Sequence, residues 1–382
     1  MKDTSNPSIR GWIVSSVFAI ALFVAPIPPG VVDQFYSRDL YPWIQRLVTE
    51  ASNLVPGAVM DWLLAAAAVL VVYRIARLVF ALRRRGLIEI FLDGIKRLTR
   101  AVALIVLAFM FLWGYNYRRL PLETTLEGGI ATDPTEATLL EAVSEAVALS
   151  GRLRPRAVET MPSTNDVLAQ VLVEPMNAAL ARLNREPLAR PGRPKTSRLL
   201  TPYFTAAGVD GMINPLALES IVHSDLLSFE RPFVLAHEWA HLAGHGDEAE
   251  ASAVGWFACM NGPPALAYSA SLYLIAEGGN QLRGSARSRA FANLDAGVRA
   301  DLEAIRQRLL RQQPQIRQAS SKVYDQYLKA NRVEDGTASY SRAVSVILSE
   351  PLRGALKNYS PAVGRNGRNS RAIPTSESIR KM

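Results

Sequence analysis

Apolar positions are concentrated at the front of this chain, in three long runs, and beyond them the pattern shifts to shorter amphipathic periods. Gly11 to Ala25 carries no charge and follows a segment holding Lys2 and Arg10. It is slightly short for a bilayer crossing, but the Pro26-Ile27-Pro28-Pro29 that follows lacks the small-x-small pattern of signal cleavage, so we read an uncleaved anchor. The second run, Trp62 to about Leu82, carries Arg74 and Arg77 near its end, where both can snorkel to the interface. The third, Ala101 to Tyr115, closes on Trp113, Tyr115 and Tyr117, residues suited to an interfacial aromatic belt. The pattern predicts a membrane module over 1–117, with spans at about 11–28, 61–82 and 99–117.

Orientation follows from the short loops, since lysine and arginine accumulate on the cytoplasmic side. Arg83, Arg84, Arg85, Lys96, Arg97 and Arg100 separate the second and third runs, whereas residues 31–60 hold only Arg38 and Arg46 against Asp33, Asp39 and Glu50. The N-terminus is then cytoplasmic. Everything after Tyr117 is expected on the periplasmic or extracellular side of a cytoplasmic membrane.

From Pro134 the pattern is that of a folded domain, which we bound at 118–355. Thr135–Ser150 and Asp166–Leu183 read as helices, and the Arg/Pro-rich run Gly151–Pro162 between them as a loop. Tyr203–Leu227 holds Gly208, Gly211 and Pro215 among β-prone pieces and predicts one or two strands. Helices return from Arg231, again after Ala296, and over Ala319–Leu328 and Ser339–Leu348. The polar, basic stretch 356–382 reads as a disordered tail. The expected fold is an α-helical membrane protein carrying an α+β, mostly helical domain.

Charge and composition narrow the chemistry. The net charge of +9 comes from arginines scattered over several segments, without a basic stripe or nucleic-acid motif, so a membrane surface is the expected partner and nucleic acid is not. Cys259 is the only cysteine, which excludes an internal disulfide and a thiolate metal cluster.

The chemistry then falls on histidine and carboxylate. His237-Glu238-Trp239-Ala240-His241 sets two histidines four apart, on one face of a helix, with a glutamate beside the first. This is the zincin arrangement: the histidines hold one zinc ion, and Glu238 is the general base toward a water that the zinc acidifies. Pro232 suits the first turn of such a helix and Gly244 its end. All four histidines of the chain, His223, His237, His241 and His245, fall in this region, which argues against chance.

A third ligand is required. Glu248 is ranked first, because on a following helix it shares a face with Ala251, Ser252, Gly255 and Cys259, small residues that let that helix press on the histidine helix. Glu250 lies roughly 200° around from Glu248 and is ranked second. Asp247, which would complete a His-Glu-x-x-His-x-x-Gly-x-x-Asp pattern, is third. His245 reads as a loop or supporting residue and His223 as a polar residue at a strand end. Gly211–Leu227 reads equally as an edge strand flanking the cleft, which can pair with extended substrate, and as a core strand. Tyr268 is a candidate oxyanion donor. The apolar run Ala251–Ala276 is broken by Asn261-Gly262-Pro263-Pro264 into pieces too short to cross a membrane, so it reads as a pair of core helices.

WGYNYRRLPLE (Trp113–Glu123), PYFTAAGVDGMINPLALESIVHSDL (Pro202–Leu226), PFVLAHEWAHLAGHGDEAEASAVGWFAC (Pro232–Cys259), Tyr268-Ser269 and YDQYLKANRVEDGTASYSRAV (Tyr324–Val344) resemble an uncharacterised family of bacterial membrane proteins with a zincin-like motif, classed as domain of unknown function 3810. The resemblance covers nearly everything except the tail and implies architecture far more than substrate. Its pattern of His-Glu-x-x-His-x-x-Gly followed by Glu-x-Glu-Ala-Asn maps onto Glu248, Glu250, Ala251 and Ser252, and is similar to the Glu-x-x-x-Asp element of membrane-bound glutamate-zincins. That implies Glu248 as the ligand. Ser252 departs from both patterns, which predicts a weaker or water-mediated bond to a ligand histidine. The functional expectation is a membrane-anchored zinc metallopeptidase acting on a peptide or protein substrate. The rivals are a non-catalytic zinc-binding scaffold and a zinc amidase acting on the cell wall.

Overall fold

The computed structural model describes residues 7–82, 86–126 and 134–360. Helix α1 (Pro7–Val24) stops ahead of the Pro26-Ile27-Pro28-Pro29 link, because proline brings no N–H to continue the ladder. Helix α2 (Pro29–Val31) runs through a π-helical stretch, Val32–Leu40, into α3 (Tyr41–Leu54), and α4 (Val59–Ala81) and α5 (Leu87–Leu112) follow. Val59–Phe80 is long and apolar enough to cross a membrane and none of it is buried, whereas Gly11–Val24 and Pro29–Leu54 pass the same test only together, as a pair bent by 106°. One helix, or two, therefore qualifies on length and composition. The run read as a third span is the second half of α5, whose first half carries Asp93, Lys96, Arg97 and Arg100. All three helices expose large apolar side chains, among them Phe18, Val72 and Ile105. Helices α1 and α5 run side by side in the same direction, with Trp12 Nε1 donating to Thr99 Oγ1 at 2.6 Å and Tyr115 Oη donating to the Leu22 carbonyl at 3.4 Å.

Residues 31–60 read as a connecting loop, yet they are mostly helical and docked on the rest of the chain. Tyr36, Tyr41, Ile44 and Trp113 belong to the same hydrophobic core as the residues beyond 118. Gln45 exchanges two bonds with the Arg190 backbone, at 2.6 and 2.8 Å, and Thr49 Oγ1 donates to the Leu218 carbonyl at 2.8 Å.

Helix α6 (Glu136–Thr160) is capped by Thr135 and α7 (Asn165–Arg182) by Thr164, each hydroxyl accepting a backbone N–H at 3.2 Å. Gly151–Pro162, expected as a loop, is helical through Thr160 and carries Pro155 within α6. Tertiary burial overrides the proline: Leu153 and Ala157 enter the core, and Arg154 Nε pairs with Asp301 at 2.8 Å. After α8 (Thr201–Ala207), β1 (Gly211–Asn214) and β2 (Glu219–Val222) pair antiparallel with Gly211 opposite Val222. Lys195 bridges Ile221 on the other side of β2. The outer edge of β1 thus pairs with no strand among the described residues.

Helix α9 (Arg231–Leu242) leads into α10 (Glu248–Met260), and prolines 263 and 264 separate α10 from α11 (Pro264–Gln281). Every residue of α10 is buried, in keeping with its alanine-rich surface, and α7, α9, α11 and the later helix Ser339–Ile347 pack around it. Trp239 of α9 and Trp256 of α10 are fully buried, and truncating either to alanine would cost about 3–5 kcal/mol. Helices α12 (Gly284–Ala290), α13 (Ala296–Leu309), α14 (Pro314–Ala330), α15 (Ser339–Ile347) and α16 (Leu352–Lys357) complete the fold. The tail read from residue 356 begins inside α16 and lies outside the described residues from 361 onward.

Candidate metal centre

Pro232 occupies the first turn of α9, where its missing N–H costs nothing, and Gly244 at φ 90° ends the helix in a conformation that other residues rarely adopt. On this helix the Nε2 atoms of His237 and His241 lie 3.1 Å apart. Helix α10 brings Glu248 Oε2 to 3.2 Å from the first and 3.3 Å from the second. A tetrahedral cation with bonds of about 2.0 Å has its ligands about 3.3 Å apart, so these three atoms form one face of such a tetrahedron. Glu248 Oε2 has no conventional hydrogen-bond partner although it is buried, which is what a cation site leaves behind in protein atoms alone. Among the described residues these three side chains form the group able to hold a metal ion.

The close approach of the two helices makes the triad possible. A Cβ on Gly255 would lie 2.7 Å from the His237 backbone nitrogen, so only glycine lets α10 seat directly on the main chain of α9. The imidazoles are also oriented from behind. His241 Nδ1 donates to the His245 carbonyl at 2.6 Å, and Ser252 Oγ lies 3.2 Å from His237 Nδ1, so that both Nε2 atoms are turned toward Glu248. The contact from Ser252 is direct, where the sequence predicted a weaker or water-mediated one. Tyr324 of α14 donates to Glu248 Oε1 and leaves Oε2 for the centre.

Burial alone would raise the Glu248 carboxyl, but the two histidines hold it well below the usual carboxylate range. Burial lowers His237. For His241 burial pulls downward too, yet Glu248 outweighs it and pushes the imidazole up to about 9. The buried Glu248 carboxylate thus favours positive charge beside it.

Glu238 is buried on the same helix, and its Oε2 has no hydrogen-bond partner. Burial pushes its carboxyl up to about 8, with His241 pulling it down and Glu248 and Asp210 pushing it further up. Strand β1 passes directly over it: a Cβ on Gly211 would stand 2.6 Å from Glu238 Oε1. Strand β1 therefore lies against the helix that carries Glu238 and the two histidines.

The other candidates have different occupations. Asp247 caps α10, its Oδ1 accepting from Ala249 at 2.9 Å and Glu250 at 3.1 Å while Oδ2 takes Arg342 at 2.8 Å. Glu250 turns away from the triad to accept from the Leu122 N–H at 2.6 Å and to meet His245 Nδ1 at 3.0 Å. His245 is fully buried and serves through its carbonyl. His223 sits past the end of β2 with Nε2 3.1 Å from Thr205 Oγ1. Tyr268 is not placed to act as an oxyanion donor: its hydroxyl is committed to Asp301 at 2.5 Å, in the Arg154 ion pair.

Residues 36–348 match the family model described as "Protein of unknown function (DUF3810)". The chain belongs to this family. No curated protein and no solved structure matches it. The DUF3810 span opens within the π-helical stretch and closes just after α15, so it takes in the triad and leaves out α1, α2 and α16.

Two tyrosines of the DUF3810 span were missed as site residues. Tyr324 bonds Glu248, and the hydroxyl of Tyr340, a residue 40% exposed, is raised by burial of that group and then by the nearby Glu248 and Glu238 charges. Both stand in Tyr324–Val344, a stretch that carries the family resemblance, but nothing in its periodicity separates them from core tyrosines. Also missed was the bracing of α9. Its last carbonyls are taken by Trp113 Nε1 on His241 at 3.0 Å, Tyr41 Oη on Leu242 at 2.8 Å and Arg119 on Gly244 at 3.2 Å.

Proposed function

We propose that this chain is a membrane-anchored zinc metallopeptidase. The donor set, two imidazole nitrogens and one carboxylate oxygen, suits zinc with an open fourth position. A zinc ion held there supplies a Lewis acid that polarises a carbonyl and acidifies water. The observation that carries the catalytic reading is Glu238: a buried carboxylate with an unpartnered oxygen beside the triad, for which a purely structural metal site has no use. Glu238 takes the proton of the attacking water and passes it to the leaving amine. The free edge of β1 receives extended peptide as an added strand and sets the scissile carbonyl over the triad. Tyr340, rather than Tyr268, is the residue that donates to the developing oxyanion.

The anchor is three-pass, with spans at about residues 11–28, 61–82 and 99–117, in a bacterial cytoplasmic membrane. The outward apolar side chains of all three helices support this, as does the parallel course of α1 and α5, which a three-pass chain requires of its first and third spans. The basic residues between α4 and α5 put the N-terminus in the cytoplasm and the zincin-like domain outside.

The test is hydrolysis of a peptide library by the detergent-purified full chain, with zinc content and thermal unfolding measured on the same samples. Glu238→Gln should keep zinc and fold while cleavage falls on the order of 10²–10⁴-fold. Equal cleavage by wild type and Glu238→Gln would sink the mechanism. Bound zinc without cleavage would favour the scaffold.

A further inference from the structure

We infer that this site cleaves polypeptide held at the membrane surface, within a few residues of a membrane-spanning helix or lipid anchor, and that free soluble peptides are its poor substrates. The inference rests on the reading of the chain as an anchored zinc hydrolase and deepens it by fixing where cleavage takes place.

The height of the centre above the bilayer follows from one chain of contacts. Trp113 is the residue that ends α5, and its Nε1 bonds the carbonyl of His241, whose own Nε2 forms a corner of the triad. Only an indole and one histidine residue separate the end of the third span from the reacting position, a distance of about 10 Å from standard bond lengths. The headgroup layer on each side of the hydrocarbon core is about 5–8 Å deep. The triad therefore lies at the level of the lipid headgroups or just above them.

That height is fixed, because every span enters the domain through rigid contacts. The last carbonyls of α1 are held by Arg118, at 3.1 Å on Leu22, and by Arg332, at 3.0 Å on Ala25. The first N–H groups of α4, from Val59 and Met60, both donate to the buried Glu219 at 2.8 Å. The end of α5 is locked by Trp113 as above. A flexible stalk would let the site sample bonds far from the surface, whereas this one cannot rise.

The contacts that connect the end of α5 to the centre are aromatic. From Phe109 in α5 a column runs through Tyr327, with ring centroids 6.2 Å apart, to Tyr324, at 5.8 Å, which bonds the ligand Glu248. Tyr117 joins it between Trp113, at 4.9 Å, and Tyr327, at 6.0 Å. Packed ring on ring, these side chains couple the end of α5 to the metal ligand through the interior, so that the centre cannot move independently of the span.

The experiment uses the full chain in lipid nanodiscs, loaded with zinc, and a degenerate-sequence peptide library in three forms. One is free, one is joined to a hydrophobic anchoring helix by a Gly/Ser spacer of about four residues, and one by a spacer of about thirty, which reaches roughly 30 Å on average. Both anchored forms gain the same surface concentration, so the comparison between them isolates height. Cleavage should be at least tenfold faster with the short spacer than with the long one or the free library, and should be abolished in Glu238→Gln. Equal rates on all three forms, or faster cleavage with the long spacer, would overturn the inference and leave the hydrolase reading intact. No cleavage of any form would overturn both.

Discussion

Tyr324 donates its phenolic hydrogen to Oε1 of Glu248. One carboxylate oxygen is thereby occupied and the other is aimed at the two imidazoles. Tyr324→Phe removes that constraint without opening much space, and should weaken zinc binding about 10–100-fold, as losses behind metal ligands do. Ser252→Ala should act in the same direction through the His237 ring. Competition against a chromogenic chelator measures both, and affinities equal to wild type would show that neither hydroxyl orients its ligand.

Glu248→Ala should abolish stoichiometric zinc, whereas Asp247→Ala and Glu250→Ala should retain it and lose stability instead. Asp247→Ala gives up a helix cap, about 1 kcal/mol. Glu250→Ala leaves the Leu122 N–H and His245 without their acceptor in the interior, on the order of 3 kcal/mol. Zinc analysis and thermal unfolding separate the two effects, and zinc lost from either neighbour with Glu248→Ala still loaded would reverse the assignment.

Two glycines should fail differently. In Gly211→Ala the new methyl group meets the end of the Glu238 side chain, which can swing aside, so the fold should survive while cleavage drops about 100-fold from a misplaced base. In Gly255→Ala it meets the main chain of α9, which cannot move away, and the melting temperature should fall by the equivalent of about 1–3 kcal/mol or more. A Gly211→Ala variant with full activity would mean that β1 does not set the position of Glu238.

Chelation should lower the melting temperature, because a metal bound only by the folded state adds about 2.7 kcal/mol at a free concentration one hundred times its Kd. The loss should disappear in His237→Ala, which has no metal to give up. A chelator that lowers both melting temperatures equally would be acting elsewhere.

Topology is open to direct measurement. A reporter fused after Leu87 should behave as cytoplasmic and one fused after Leu126 as translocated. The reverse pair of compartments would turn the three-pass arrangement inside out.

The metal face was legible in the sequence because it depends on helical spacing alone: His237 and His241 are one turn apart, and the small residues Ala251, Ser252 and Gly255 announce a helix pressed against another. The break at Pro263-Pro264 and both strands were legible for similar local reasons. Gly151–Thr160 was not, since its arginines and Pro155 match loop chemistry and only burial of Leu153 and Ala157 decides the matter. Tyr324, Tyr340 and Trp113 were unreadable as site residues, because each reaches the centre across more than 70 positions of chain. The docking of 31–60 was hidden the same way: Gln45 and Thr49 look like ordinary surface residues until their partners at Arg190 and Leu218 are known.

The carbonyls that end α9 are satisfied by Tyr41, Trp113 and Arg119, all of which precede or immediately follow the spans. Clipping a slack linker would free an ordinary anchored enzyme intact. A nick ahead of Pro134 in this protein separates the folded body from the residues that close its own metal helix, and their loss would leave the Leu242 and Gly244 carbonyls without these donors. On the membrane-anchored reading proposed above, shedding from the bilayer would weaken the metal helix instead of releasing an intact site.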